Sequence, residues 1–206
     1  MDFFISTKQR TDKEELMDDF SIGGNLLRDT LDKLEHINRW LGGNKVTVNG
    51  LKKILKNQPK EQEITIVDVG CGHGASSIVL AKQYPNSTFY GFDSHEESIE
   101  IAKQRAQEAG VSDNIHFSVS DAKSYEGEDF GLICFMDCIH DMGDPVGAAK
   151  YAKACLSSDG TVLLVEPAAA DKVNDNINPV SRLYYAASTA VCTPCSISQE
   201  VGLALG

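Results

Sequence analysis

From residue 64 onward, five short apolar or β-branched runs alternate with turns and helix-length segments, and this pattern limits the fold more than any other feature. Ile64–Val69, Thr88–Asp93, Ile115–Val119, Leu132–Met136 and Thr161–Glu166 read as strands. Helices are predicted over about 75–84, from Ser94 to Ala109 and from Asp144 to about Leu156. Strands separated by helices cannot be joined by tight hairpins, so they lie parallel, with the crossover helices covering both faces of the sheet. The expectation is a doubly wound α/β domain.

Local punctuation supports the same division. Ser94 with Glu97 three residues later forms a capping box for the second helix, whose buried face is Ile99, Ala102, Ala106 and Ala109 before Gly110 ends it. Asp144-Pro145 starts the third helix as a cap followed by proline, and Ser158-Asp159-Gly160 turns the chain into the fifth strand. Ahead of these elements, Leu27, Leu31, Leu34, Ile37 and Leu41 form one apolar stripe on a helix over 24–41, stopped by Gly42-Gly43. A second short helix is expected over 48–57, with Leu51, Ile54 and Leu55 facing inward.

Charge divides the chain at the same place. Residues 1–60 carry 11 Lys+Arg and 9 Asp+Glu, residues 61–206 carry 8 and 21, and the whole is −11. We therefore expect a helical cap or lid over 1–60 and a main domain over 61–206. An acidic main domain repels a phosphate backbone, so nucleic-acid binding is not expected, whereas a cationic ligand is tolerated. No run reaches the roughly 18 apolar residues of a membrane helix, and MDFFISTKQR lacks a signal-peptide pattern, so a cytoplasmic location is expected. Of six cysteines, only Cys192-Thr-Pro-Cys195 has metal or redox spacing. It lacks a second ligand pair and reads as a loop, so it is set aside as incidental and no metal is expected.

Doubly wound sheets bind ligands beyond the carboxyl ends of their strands. Those ends carry Asp68-Val-Gly-Cys-Gly-His-Gly74, Asp93, Asp121-Ala122, Asp137 with the loop to Asp144, and Glu166. Gly70-x-Gly72-x-Gly74 allows the backbone to approach a ligand closely. Asp68 just before it opposes a pyrophosphate and suits an ammonium or sulfonium group. A tight strand–helix turn with no ligand is the plain alternative. Asp93 can accept both ribose hydroxyls of an adenosine ligand, or simply help to start the next helix.

Taken together, Val67-Asp-Val-Gly-Cys-Gly-His-Gly74, Asp93, Asp121-Ala122 and the strand ending at Asp137 resemble the class I S-adenosylmethionine-dependent methyltransferases over about residues 62–167. Phe135-Met-Asp-Cys-Ile-His-Asp-Met-Gly-Asp-Pro-Val-Gly-Ala-Ala149 and Asp175–Ser188 are similar to a bacterial small-molecule subgroup, whereas Ile37–Lys45 resembles the leader of a different methyltransferase branch. The resemblance implies a Rossmann-like sheet, here with strand order 3-2-1-4-5. It implies S-adenosyl-L-methionine as cofactor, held by Asp68, Gly70, Cys71 and Gly72 at the methionine part. Asp93 and Ser94 would stand at the ribose, Asp121 and Ala122 at the adenine, and Asp137 at the fourth strand end. Class I domains usually add two strands after the fifth. Here the residues after Pro167 read as loop and two short helices, over about 179–191 and 197–205.

Methyl transfer from a sulfonium is an in-line displacement, so positioning dominates and a base is needed only where the acceptor must lose a proton. His140 and Asp141 are the candidate catalytic residues. A purely structural His140, bonding the backbone and shaping its loop, is the competing reading. Glu166 either lines the acceptor site or ends a strand, and Tyr184 and Tyr185 either cover the acceptor or belong to the core. The expected function is methyl transfer to a small-molecule acceptor. The alternatives are a non-catalytic cofactor-binding module and, more remotely, a nicotinamide-dependent oxidoreductase. An uncovered fifth strand is an edge for aggregation or dimerisation, so a homodimer is compatible with the sequence, which leaves the oligomeric state open.

Overall fold

The computed structural model describes residues 43–55 and 63–205. The expected helix over 24–41 lies outside these residues. Helix α1 spans Gly43–Ile54. It therefore begins at the glycine expected to stop the preceding helix, and earlier than the 48–57 predicted. Leu51 is fully buried, while Ile54 sits at the edge of exposure.

The strands are β1 (Thr65–Val69), β2 (Thr88–Asp93), β3 (Ile115–Val119), β4 (Phe130–Met136) and β5 (Leu156–Val165). They form one sheet in the order β3-β2-β1-β4-β5, every pair parallel, as the alternation and resemblance implied. Helices α2 (Ala75–Gln83), α3 (Glu96–Ala109) and α4 (Pro145–Cys155) make the crossovers.

Strand periodicity sorts the core into two layers. Ile66 of β1 with Leu132 and Cys134 of β4 packs under α1, α2 and α3, against Leu51, Leu80, Ile99 and Ala102. Val67, Val69, Ile133 and Phe135 point the other way, onto Ala148 and Ala152 of α4 and the ring of Tyr125. Tyr125 stacks on Phe92 at 5.0 Å and meets Tyr151 edge-on at 4.9 Å. Such two-sided burial is what continuous apolar runs in parallel strands require.

Several local expectations need correction. The cap of α3 is His95 rather than Ser94; its Nδ1 accepts from Ser98 N at 3.2 Å. The reason is that Asp93 captures His95 N at 2.9 Å, which turns the chain once more before the helix begins. Val119 closes β3 half-exposed. Ser158-Asp159-Gly160 does not separate α4 from the last strand. It lies within β5, where pairing to β4 jumps from Phe130↔Leu156 to Leu132↔Thr161, so the turn residues form an irregularity in a longer strand.

Beyond β5 the chain forms α5 (Pro179–Ala187), a π-helical turn over Ser188–Cys192 and α6 (Thr193–Ser198). Residues 199–205 are not helical, contrary to the expected second helix. No helix among the described residues is long and apolar enough to cross a membrane.

Candidate functional site

The carboxyl ends of the strands converge on the loop between β1 and α2. Gly70, Gly72 and Gly74 all adopt positive φ, at +71°, +51° and +73°. At two of them space as well as conformation demands glycine. A Cβ on Gly70 would stand 3.0 Å from Cys138 Sγ, and one on Gly74 would stand 2.6 Å from Phe117 Cζ. Around Gly72 a Cβ would meet nothing within 4 Å, so its bare backbone faces open space.

Asp93 fixes that loop. Its Oδ2 accepts from Gly72 N at 2.8 Å and its Oδ1 from His95 N at 2.9 Å, cross-linking the loop to the end of β2. Backbone bonds from Gly70 N and Cys71 N to Phe92 O add a second tie. Two carboxylate oxygens offer about four acceptor positions, so two backbone donors leave capacity for hydroxyls.

Asp68 lies beneath the loop, buried. Ser77 Oγ donates to its Oδ2, while Oδ1 is buried with no hydrogen-bond partner. Burial pushes its pKa up from 3.8 to about 7; the Ser77 bond opposes this and Asp93 adds to it. The thiols of Cys71 and Cys138 are likewise held well above their usual range, by burial first and then by Asp68. Both thiols are neutral and lie beside Asp68. The other cofactor candidates are more open. Ser94 and Asp137 are exposed, and Asp121 is exposed with its Oδ1 accepting from Lys123 N at 2.7 Å. Ala122 is half-buried.

A second cluster stands after β4, where Ile139–Asp141 make a single 3-10 turn. Glu166, at the end of β5, organises it. Its Oε1 accepts from Cys138 N at 3.1 Å and Ile139 N at 3.0 Å, and its Oε2 pairs with His140 Nδ1. The other ring nitrogen, Nε2, lies 3.3 Å from Asp141 Oδ1. Burial works against a charged His140 ring, but the Cys192 side chain, Glu166 and Asp141 outweigh it and hold the pKa up at about 11. Burial raises the Asp141 pKa, against the pull of His140.

Three members of this arrangement escaped sequence reasoning. Glu166 was placed at a strand end without its role as the clamp on His140. Cys192-Thr-Pro-Cys195 has no second ligand pair at metal spacing in the sequence, yet Cys192 closes the π-helical turn and stands against His140 and Asp141. Gln199 had no signal at all. Its Oε1 accepts from Gly143 N at 2.8 Å and its Nε2 donates to Asp141 O at 2.8 Å, while Ser196 Oγ donates to Met142 O at 2.8 Å. Tyr185 is exposed and accepts from Asn176 Nδ2 at 3.3 Å, so it is not a core aromatic.

Over residues 60–201 the sequence matches the family described as a methyltransferase domain. The chain belongs to this methyltransferase family. It is 30% identical over 102 residues to the ubiquinone biosynthesis O-methyltransferase of Actinobacillus pleuropneumoniae serotype 7, a match covering 47% of this chain and 43% of that protein. The chain thus spans under half the length of the curated relatives it matches.

Among solved structures it superposes with TM-score 0.57 on a Methanococcus maripaludis protein described as an S-adenosyl-L-methionine-dependent methyltransferase, 21% identical, covering 70% of this chain and 65% of that one. The [4+2]-cyclase SpnF is similar too, with TM-score 0.52 and 23% identity over 58% of this chain and 43% of that one. Likeness at that level shows the shared fold of the methyltransferase family; the reaction must be argued from the site.

Proposed function

We propose that this chain transfers a methyl group from S-adenosyl-L-methionine to a small-molecule acceptor by in-line displacement. The observation that carries the reading is the Gly70–Gly74 loop, with its open backbone at Gly72 locked by Asp93 and underlain by the unpaired Oδ1 of Asp68. The residues fit this cofactor. The spare acceptor capacity of Asp93 suits two ribose hydroxyls, and the buried Asp68 Oδ1, which accepts from no donor, suits a ligand bearing an ammonium group. Gly70, Cys71 and Gly72 would lie along the methionine part, Ser94 beside the ribose, Asp121 and Ala122 at the adenine, and Asp137 at the rim. The cofactor supplies an electrophilic methyl on sulfur. The chain's task is to hold an acceptor heteroatom in line with it.

His140 and Asp141 are the acceptor-side pair in this reading. With Nδ1 occupied by Glu166, the ring meets an acceptor only through Nε2, beside the Asp141 carboxylate. These two groups polarise the acceptor.

Calorimetric titration with S-adenosylhomocysteine, with NAD as control, tests the cofactor assignment. One site per chain for the former and none for the latter is expected. Asp93→Ala should abolish that binding while the far-ultraviolet dichroism stays unchanged, and unchanged affinity would refute the assignment of the ribose site. His140→Ala should lower turnover far more than cofactor affinity.

A further inference from the structure

The cluster after β4 has a composition that acceptor polarisation alone does not demand. His140, Asp141 and Cys192 bring one nitrogen, one oxygen and one sulfur ligand atom within 4.8 Å of one another. Ligand atoms around a tetrahedral zinc ion are separated by roughly 3.3–3.7 Å, given bonds of about 2.0–2.3 Å. Nε2 and Asp141 Oδ1 already stand 3.3 Å apart, which is one edge of that tetrahedron. Asp141 Oδ1 is also buried and makes no hydrogen bond of good geometry, although His140 Nε2 and the Cys192 side chain both face Asp141. A cation between these atoms would satisfy it.

The surroundings are those of a metal-binding histidine. Glu166 takes Nδ1 of His140, which fixes the ring and directs Nε2 toward Asp141 and Cys192. A carboxylate behind a ligating imidazole both orients it and raises its basicity. Asp141 is held by its backbone through Gln199, and Gln199 also bonds Cys195 O at 3.1 Å, on the helix that follows Cys192. The three donors are therefore positioned by β4, β5 and the α6 region, not by one flexible loop. The second group sharing this histidine, Asp137 with His140 and Glu166, has an exposed acid at its edge.

We propose that His140 Nε2, Asp141 Oδ1 and Cys192 Sγ form a three-ligand site for a zinc-class divalent cation. A mixed nitrogen, oxygen and sulfur set selects a borderline-soft ion over magnesium or calcium, and three protein ligands leave a fourth position open. The consequence for catalysis, though not the binding itself, rests on the methyl-transfer reading. An acceptor bearing a hydroxyl or thiol would then meet the ion at its open position rather than Nε2 itself, and lose its proton to solvent. Its heteroatom–methyl bond would then form as the sulfonium–methyl bond breaks, leaving the cofactor as a neutral thioether.

The test is titration of the chelator-stripped chain with zinc and, in parallel, with cobalt(II) followed by absorption. One ion per chain and a near-ultraviolet thiolate-to-cobalt charge-transfer band are expected. Cys192→Ser should remove the band and Cys195→Ser should keep it. Asp141→Asn should weaken zinc binding on the order of tenfold or more, and it covers the case in which Cys192→Ser fails to fold. No stoichiometric zinc, or a band lost equally with Cys195→Ser, would overturn the proposal. Titration of the same samples with S-adenosylhomocysteine separates the two readings. Cofactor binding without zinc refutes only the metal site, and zinc binding without cofactor refutes only the methyl-transfer reading.

Discussion

Replacing Asp68 by asparagine tests whether a binding requirement keeps an acid where the fold resists its charge. The carboxyl is buried beneath the glycine loop, and its pKa rises from 3.8 to about 7. In the unfolded chain it would titrate near its ordinary value. Between the two values the folded chain binds the proton that the unfolded chain has released, so this group's contribution to stability falls as pH rises through that window. Three pKa units at about 1.4 kcal/mol each set an upper limit of about 4 kcal/mol. Asparagine is nearly isosteric and carries no charge to bury.

Urea unfolding of both forms is the assay, run at about pH 4 and about pH 8. At the acid end the two should be of similar stability. At the alkaline end the variant should be the more stable by roughly 2–4 kcal/mol, with m unchanged. It should also bind S-adenosylhomocysteine more weakly, because the unpaired oxygen is what a cationic ligand would meet. Parallel pH profiles for the two proteins would refute the argument, since they would mean that Asp68 carries no burial strain.

The glycine loop permits a sharper comparison. Gly72→Ala adds only the conformational cost of a side chain at positive φ, about 1 kcal/mol, whereas Gly74→Ala adds a contact at 2.6 Å with Phe117 and should cost at least about 2 kcal/mol more; thermal melts of the two variants check this order. Gln199→Ala removes the bonds to Gly143 N and Asp141 O and should cost about 1–3 kcal/mol. Limited proteolysis should then cut the 139–143 turn faster, while affinity for S-adenosylhomocysteine stays unchanged.

The parallel sheet was legible because short apolar or β-branched runs, with β3 alternating apolar and polar residues, alternate with helix-length segments, and such runs have few other ways to be buried. Asp93 was legible for the same reason, as the residue where β2 must stop. Its reach to Gly72 was not, since that bond spans 21 positions. The capping box at Ser94 is not formed because Asp93 accepts from His95 N, and the helix starts one residue later with His95 as its cap. The histidine cluster was readable only in part. His140 and Asp141 stand together in the sequence, but Glu166 lies 26 positions away and Cys192 further still. Cys192-Thr-Pro-Cys195 looked like a loop because proline usually interrupts helices. At the first turn of α6 it is tolerated, since no donor is lost there.

The hold of Gln199 and Ser196 on the 139–143 turn also bears on the order in which the molecule assembles. Apart from Asp137 after β4, the sites assigned to the cofactor lie between residues 68 and 122, on the loops that follow β1, β2 and β3. The acceptor-side turn depends on partners about 55 residues further on. A ribosome emitting this chain releases the glycine loop and Asp93 well before it releases Gln199. Most of the half that would recognise the cofactor then waits only for β4 and Cys138, whereas the half that would select an acceptor must wait for the later segment that braces it.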